Sequence, residues 1–307
     1  MLATKVLVIG SAHLDIVGEI TGDVNNIDKI GKVHVSVGGS AFNVAASLAF
    51  HGINVVFASG VKSRSLGESA IRCELKKRKI DDTLLVSSSS LPESGFIAHT
   101  FRGDLISAVS ETAVEHLRFT NSQLRSVIKK SDSVVIDANL GRDQIGQIET
   151  ICRSFNRPLY ASAVSETKVK RLDRLWKDRH AHFAAVVMNR AEATKCGFRF
   201  DLLATRNHLQ EQICAHFSAL TVVVTNGNEG YLVIERQGTN EVRLLNIQSG
   251  VYRKCVSTLG AGDALLASIV SMGQPPDWVA HRKIAKKYLD PVLATKGSTP
   301  AFNAPFL

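Results

Sequence analysis

The chain has 307 residues, of which 45% are hydrophobic and 21% are charged. This composition is typical of a folded globular protein and excludes a disordered chain, which would be poorer in apolar residues. At roughly 100–200 residues per domain, the length allows one large α/β domain or two small ones. The 37 basic and 28 acidic residues give a net charge of +9, which suits either a nucleic-acid surface or a polyanionic substrate.

The first residues and the cysteines both predict a cytoplasmic protein. The first apolar run is broken by Gly10, His13 and Asp15. It therefore lacks both the core of a signal peptide and the ~20 apolar residues of a membrane span. The five cysteines are odd in number and contain no CxxC pair, so we expect free thiols and no zinc site.

Short, apolar, β-branched runs alternate with longer stretches of helical spacing. Such runs are typical of strands buried on both faces, so the alternation predicts a parallel sheet with helices on both sides. The predicted strands are Lys5–Ile9, Val55–Ala58, Ser133–Asp137, Pro158–Ala161, Ala184–Met188 and Thr221–Thr225. The predicted helices are Ala41–His51, Gly67–Lys79, Asn121–Lys130, Gln144–Phe155, Glu166–Trp176 and Leu202–Phe217.

Two segments, near 15–36 and 84–110, break this alternation. They hold short half-polar strands such as 95–101 and 105–110, which suit a small antiparallel sheet that projects from the main layer and could act as a lid. We find no internal repeat and no low-complexity linker. The economical interpretation is one domain over residues 1–307, with the lid inserted into it.

Residues 257–270 combine a small-residue loop with the start of an apolar helix. Gly260, Ala261 and Gly262 would offer backbone N–H groups at a helix N-terminus, where an anion is favoured and a phosphate can approach closely. Asp263 follows in the first turn, where a carboxylate could take a proton from a hydroxyl that attacks the phosphate. An ordinary glycine-rich loop with a favourable first-turn acid explains the same residues equally well.

A second small-residue loop precedes the predicted helix Ala41–His51, and includes Gly39. Asn43 lies just inside this helix, where asparagine is a poor helix former, so it indicates either a cap or a ligand contact. Its amide could hydrogen-bond sugar hydroxyls. Taken alone, this loop is a weak indication of function.

Together, the order and spacing of the two loops resemble the PfkB (ribokinase-like) family of carbohydrate and nucleoside kinases. Residues 38–45 match its first signature and residues 260–263 its second. Residues 189–192 are similar to its Asn-x-x-Glu motif, and residues 225–230 to its Thr-x-Gly-x-x-Gly nucleotide turn. The resemblance spans residues 5–272 and implies a three-layer α/β/α sandwich with a mostly parallel sheet and an antiparallel β lid.

The resemblance also implies a role for each matched residue in an ATP-dependent kinase. Asp263 would be the general base, and the N–H groups of Gly260, Ala261 and Gly262 would stabilise the transferring phosphoryl group. Mg²⁺ would bridge oxygens of ATP. The acceptor would be held by Asp15, Gly39 and Asn43. The nucleotide and phosphate environment would be formed by Asn189, Glu192, Thr225, Gly227 and Gly230, with Glu192 also an indirect contact to the metal.

Within the family, the intermediate segments are most similar to those of pseudouridine kinases. Residues 94–98 and 105–111 resemble their lid strands, residues 137–140 their Asp-Ala-Asn-Leu element, and residues 163–168 their Pro-Val-Ser-x-x-Lys element. This implies transfer to the 5′-hydroxyl of pseudouridine. Another ribokinase-like sugar kinase or purine-nucleoside kinase remains open, as does an inactive kinase fold that binds a ligand or nucleic acid. The exposed edges of the lid predict a homodimer.

Several positions depart from the family pattern. Ser257 replaces an acidic residue linked to monovalent-cation binding, which leaves dependence on such a cation open. Lys62 and Arg64 replace the Gly and Asp of a Val-Gly-x-Asp turn, and Ser268 stands where Gly is common. The chain after Ser271 is short, and the last helices that cover the nucleotide in the family are hard to match.

The positive charge is concentrated in the segments 74–82, 168–180 and 281–287. The first two are interrupted by acidic residues, and none has the interleaved aromatic residues on which bases would stack. We therefore interpret these segments as solvated helix faces and expect no nucleic-acid partner.

Overall fold

The computed structural model describes residues 4–102, 104–172, 183–198, 221–237, 241–248, 252, 255–273 and 277–301. The predicted helix Leu202–Phe217 and Cys214 lie outside these residues. The four described cysteines are free thiols. No helix within these ranges is long and apolar enough to cross a membrane.

The chain alternates between strands and helices. The strands are β1 Lys5–Ile9, β2 His13–Ile20, β3 Gly31–Gly38, β4 Asn54–Lys62, β5 Asp81–Ser88, β6 Gly95–Phe101, β7 Asp104–Glu111, β8 Ser133–Asp137, β9 Leu159–Ser162, β10 Ala185–Asn189, β11 Thr221–Thr225, β12 Gly230–Arg236 and β13 Val242–Gln248. The helices are α1 Ser40–Phe50, α2 Leu66–Lys77, α3 Asn121–Lys129, α4 Arg142–Ser154, α5 Arg190–Lys195, α6 Ala261–Met272 and α7 Trp278–Leu293.

Nine of these strands form a central sheet in the order β13-β12-β11-β10-β9-β8-β1-β4-β5. The strands from β5 to β11 pair in parallel, and β12 and β13 add antiparallel pairs at one edge. All six predicted strands are confirmed, and three of them have the predicted bounds. Their continuous apolar runs arise because both faces of the sheet are covered.

Each face of the sheet is covered by its own set of helices, which makes the three-layer α/β/α sandwich. In β1, Val6 and Val8 pack in the cluster that contains α1, α2, α6 and α7. Leu7 and Ile9 point to the opposite face and pack in the cluster that contains α3 and α4. The alternation of neighbouring residues between two apolar layers is what a strand periodicity of two requires.

A separate four-stranded sheet has the order β3-β2-β6-β7. The pairs β2–β3 and β6–β7 are antiparallel, and β2 and β6 join them in parallel. The predicted small sheet is thus present, but residues 84–88 belong to β5 at the edge of the central sheet. We call β2, β3, β6 and β7 the small sheet.

The helix predicted over Glu166–Trp176 is wrong in its described part. Only a 3₁₀ turn, Val169–Leu172, forms there, and residues from 173 on are not described. Val164 has a φ of 69°, and the Ser165 N–H donates to the carbonyl of Ala163 in a tight turn. After this turn the Lys168 N–H donates to Ser165 and the Arg171 N–H to Lys168, three residues apart in each case, which is the 3₁₀ pattern.

The strand order reverses at β1, which lies between β4 and β8. In open parallel sheets, ligands bind outside the carboxyl ends of the strands at such a reversal. The loops after β1, β8 and β10 and the N-termini of α1 and α6 all meet at this edge, and this edge carries the candidate site.

Candidate active site

Asp137 fastens the start of α1 to the central sheet. Its Oδ2 accepts hydrogen bonds from the backbone N–H of Ser11 (2.9 Å), the hydroxyl of Ser11 (2.6 Å) and the backbone N–H of Ala41 (3.0 Å). A carboxylate that accepts backbone N–H groups at a helix start stabilises that helix end. Asp137 therefore fixes where α1 presents Ser40 and Asn43 toward the cleft.

Asp263, in the first turn of α6, is held by two residues of α1. Its Oδ1 accepts the hydroxyl of Ser40 at 2.5 Å, and its Oδ2 accepts the amide of Asn43 at 2.8 Å. The Ser40 oxygen also lies 3.0 Å from the Ser162 hydroxyl at the end of β9. Asp263 is a half-buried residue, and these two bonds fix the orientation of its carboxylate.

Burial raises the pKa of Asp263 from 3.8 to about 7. The negative charges of Asp137 and Glu192 raise it further, while the hydrogen bonds from Ser40 and Asn43 lower it. A carboxyl with a pKa near the working pH is suited to proton transfer, because it is available as a base and can also release the proton.

The predicted acceptor residues lie together beside Asp263. Asp15, on β2, is buried, and its Oδ2 lies 3.3 Å from the hydroxyl of Ser298, which also donates to Asn43 Oδ1 at 3.0 Å. Gly39 precedes α1 with a φ of 108°, and a Cβ there would lie 2.6 Å from the carbonyl oxygen of Ser11. Glycine is required at this position because no side chain fits.

The loop before α6 has the form of a helix N-terminus open to an anion. Gly260 has a φ of 76°, and a Cβ there would lie 2.0 Å from the carbonyl oxygen of Ser298, whereas a Cβ on Gly262 would meet nothing within 4 Å. The Ala261 N–H donates to the carbonyl of Thr258 at 3.2 Å and is already engaged. The open side of the loop is therefore at Gly262.

A cavity of about 700 Å³ lies over this loop. The predicted nucleotide residues Asn189, Thr225, Gly227 and Gly230 line it together with Ala261 and Gly262. Its apolar wall is formed by Tyr231, Tyr252, Leu265, Leu289 and Leu293. The helix α7 contributes the last two leucines, so the short chain after Ser271 does supply a helix over this cavity.

The Asn189-x-x-Glu192 motif forms a capping box at the start of α5. The Asn189 side chain accepts the N–H of Glu192 at 2.8 Å, and Glu192 Oε2 accepts the N–H of Asn189 at 2.8 Å. Burial raises the pKa of Glu192. Helix capping alone is a sufficient reason for this motif.

The residues present fit Mg²⁺ only as an ion carried by ATP. Among the described residues, no group of three or more His, Cys, Asp or Glu could hold a metal. Mg²⁺ typically binds through one or two carboxylates together with substrate phosphates and water. Glu192, whose Oε2 is already engaged, suits the indirect contact that the family resemblance implies.

A second cavity of about 370 Å³ separates the small sheet from the loop before α6. Its walls combine Val17, Phe96 and Ala98 with the polar side chains of Glu19, His34 and Thr100. Thr258 lines both this cavity and the 700 Å³ cavity, so the two adjoin at this loop. The small sheet thus forms one wall of this second cavity, and the predicted acceptor residue Asp15 lies on its strand β2.

Several residues of this site were not predicted. Ser40 and Ser298 contact the predicted residues directly, and Tyr252 and Leu289 line the larger cavity. Ser40 belongs to the small-residue loop, so its neighbourhood was visible in the sequence. Ser298 is 255 residues from Asn43 and 283 from Asp15, and no local pattern indicates such a contact.

The sequence profile described as "pfkB family carbohydrate kinase" matches residues 3–272. The chain therefore belongs to the pfkB family of carbohydrate kinases. Membership implies a phosphotransferase that uses ATP and an alcohol acceptor. No curated protein matches the chain by sequence.

Solved structures with the same fold include sugar and nucleoside kinases. "Structure of Arabidopsis thaliana Ribokinase complexed with Ribose and ATP" superposes with a TM-score of 0.78 at 16% identity, covering 98% of this chain and 97% of that one. An adenosine kinase from Sinorhizobium meliloti gives 0.76 at 18% identity, covering 98% and 96%. A carbohydrate kinase from Agrobacterium tumefaciens gives 0.72 at 23% identity, covering 96% and 92%. These similarities establish the ribokinase-like fold.

Proposed function

We propose that the protein transfers the γ-phosphoryl group of ATP to the 5′-hydroxyl of pseudouridine, with Asp263 as the general base. The observation that carries this proposal is the position of Asp263. It lies beside the open Gly260–Gly262 loop and is hydrogen-bonded to α1, whose Asn43 is linked through Ser298 to Asp15. One carboxylate thus lies between the predicted phosphate residues and the predicted acceptor residues.

The proposed step moves one proton and one phosphoryl group. The acceptor hydroxyl gives its proton to Asp263 while its oxygen bonds to the γ-phosphorus, and the bond from that phosphorus to the bridging oxygen of ADP breaks. Because the Ala261 N–H is engaged by Thr258, the backbone N–H groups of Gly260 and Gly262 and the dipole of α6 counter the charge on the phosphoryl oxygens. Mg²⁺ on ATP would neutralise further phosphate charge, with Glu192 as its indirect contact.

The second cavity supports a nucleoside over a free sugar. A ribose held at Asp15, Gly39 and Asn43 would leave the 370 Å³ space beside the small sheet for another group. Phe96 and Val17 offer apolar contact to a flat ring, and Glu19 and His34 offer hydrogen-bond partners to its polar edge. The nucleotide would lie in the larger cavity, bordered by Thr225, Gly227 and Gly230, with its γ-phosphate at the Gly260–Gly262 loop.

We further propose that the small sheet closes over the acceptor as a lid and pairs with a second copy of the chain in a homodimer. An apolar row crosses all four strands on the face away from the cavity. Val35, Ile16, Ile97 and Val109 lie opposite one another in register, and Val35, Ile97 and Val109 are 50–73% exposed. Exposed apolar faces of this kind mark association surfaces.

The experiment is a panel of acceptors assayed by ADP release with Mg·ATP. We expect turnover on pseudouridine to exceed turnover on ribose, adenosine and inosine at equal concentration.

Asp263→Asn should bind ATP normally and lose about 10²–10⁴-fold in kcat, the typical contribution of a general base. Asp143→Asn, which changes another first-turn aspartate at α4, is the matched control and should keep full activity. Preference for another acceptor would overturn the pseudouridine assignment, and unchanged kcat in Asp263→Asn would overturn the mechanism.

A further inference from the structure

The segment after α7 passes through the middle of the candidate site. Thr295 fastens it in a tight turn, because its hydroxyl lies within 3.1 Å of the carbonyls of Val292, Gly297 and Thr299. Arg78 at the end of α2 donates to the carbonyl of Pro300 at 3.1 Å. The turn places buried Ser298 between β2, α1 and the loop before α6.

The Ser298 hydroxyl has one proton and two neighbouring acceptors. Asn43 Oδ1 is at 3.0 Å and Asp15 Oδ2 at 3.3 Å, so only one of them can receive the proton at a time. The shorter contact favours Asn43. Asp15 Oδ1 is buried and lies 2.9 Å from His13 Nδ1, within ion-pair distance. The Ser298 proton is therefore directed to the amide oxygen of Asn43.

The Asn43 amide satisfies its neighbours in only one orientation. Its NH₂ donates to Asp263 Oδ2 at 2.8 Å, and its oxygen accepts from Ser298. Rotating the amide by half a turn would place its oxygen against a carboxylate oxygen and its NH₂ against the Ser298 hydroxyl. Ser298 is the partner that holds the oxygen end of this buried amide.

We propose that Ser298 is a positioning residue of the acceptor site, which holds the Asn43 amide toward Asp263. This inference rests on the proposed function, because it assigns Asp263 as the base and Asp15 as an acceptor residue. Without the Ser298 hydroxyl, the Asn43 oxygen loses its donor and the amide can turn away from Asp263. The charged carboxylate of Asp263 would then lose one of its two stabilising donors.

The test measures the protonation of Asp263 directly, apart from catalysis. The chain is labelled with ¹³C at aspartate carboxyl carbons, and the Asp263 resonance is assigned by its loss in Asp263→Asn. The titratable groups that face Asp263 are Asp137 of β8 and Glu192 of α5, and they are the same in every variant. Ser298→Ala should raise the apparent pKa of Asp263 by about 0.5–1 unit, because one hydrogen bond to the charged form is lost.

Three further variants make the outcome decisive. Ser298→Thr keeps the hydroxyl and should titrate like the wild type, whereas Ser298→Cys offers only a weak donor and should shift in the same direction as Ser298→Ala. Ser271→Ala, which changes a hydroxyl bonded to the Ser268 carbonyl at the end of α6, should have no effect. An unchanged Asp263 pKa in Ser298→Ala and Ser298→Cys would overturn the inference. Absence of ADP release on all acceptors would overturn the proposed function. The effect of Ser298 on the pKa of Asp263 could still be measured in that case, because the titration does not depend on turnover.

Discussion

At the scale of single residues, two opposing effects decide the chemistry of Asp263. Burial and the charges of Asp137 and Glu192 disfavour its ionised form, while the donors on Ser40 and Asn43 favour it. Desolvation is the larger effect, so the pKa rises to about 7. A base tuned in this way accepts a proton more readily than an ordinary aspartate and is still ionised in half of the molecules at that pH.

We therefore expect kcat/KM to depend on pH with an acidic limb near 7. Below this pKa, Asp263 holds a proton and cannot accept another, so kcat/KM should fall about tenfold per pH unit. Steady-state assays from pH 5 to 9 with saturating Mg·ATP measure the limb. A limb near 4, the value of an unperturbed aspartate, would contradict this assignment.

The predicted site residues lie in short sequence motifs, whereas site residues such as Ser298 lie in no recognisable motif. Small residues before a helix indicate an anion site from the sequence alone, because the chemistry depends on adjacent backbone groups. Ser298 contacts Asn43 and Asp15 only through the fold, and serine is common at surfaces. The Asn-x-x-Glu motif was recognised, but its sequence could not distinguish a phosphate contact from the capping box that Asn189 and Glu192 form.

At the scale of the elements, a buried hydrogen-bonded chain ties β12, α6 and α7 together under the larger cavity. The Ser268 hydroxyl donates to the carbonyl of Leu265 at 2.6 Å, so its oxygen accepts from His281 Nε2 at 2.8 Å. His281 Nδ1 then accepts the hydroxyl of Tyr231 at 2.7 Å. Burial lowers the pKa of His281 to about 4, so the imidazole is neutral near pH 7. This chain accounts for a serine where the family commonly has glycine.

Ser268→Ala should lower the free energy of unfolding by about 1–3 kcal/mol, because it leaves the buried N–H of His281 without an acceptor. Urea denaturation at pH 7 measures this change. Ser126→Ala, at an exposed position of α3, is the control and should change stability by no more than about 0.5 kcal/mol. Equal free energies of unfolding for the two variants would show that the hydrogen bond from His281 to Ser268 does not stabilise the fold.

The periodicity of the sequence predicted the strands better than the helices near the site. Strands buried on both faces have continuous apolar sequences, as in β1, β8 and β11. The segment after β9 has helical spacing, but the side chains of Lys168 and Arg171 bind Asn139 at the end of β8, and the backbone forms only a 3₁₀ turn. Such contacts override local preference and are invisible in a window of the sequence.

At the scale of the whole molecule, charge and apolar surface lie in different places. Lys76, Lys77 and Lys79 at the end of α2 are exposed, as the solvated-face interpretation expects, but Arg78 is buried and binds the segment after α7. Arg282, Lys283 and Lys287 are exposed on α7. The exposed apolar side chains, in contrast, include a row across the outer face of the small sheet.

We expect the wild type to be a dimer at micromolar concentration through that face. Replacing Val33 and Val35 together by Lys puts two charges on the face and should give a monomer, because charges buried at an interface lack partners. Size-exclusion chromatography with light scattering measures the mass. Leu66→Lys, at an apolar residue that is 84% exposed on α2, is the control and should remain a dimer. A monomeric wild type would contradict the proposed interface.

Because β1 lies between β4 and β8, the residues proposed to bind the acceptor and those proposed to bind the nucleotide come mostly from different parts of the chain. Asp15, Gly39, Asn43 and the small sheet precede residue 112, whereas the residues that line the larger cavity begin at Asn189. Changes of the acceptor site can therefore accumulate largely in the first third of the chain, with Ser298 and the loop before α6 as exceptions. Because the loop at Thr258 borders both cavities, a substitution there would alter the acceptor side and the nucleotide side of the site together.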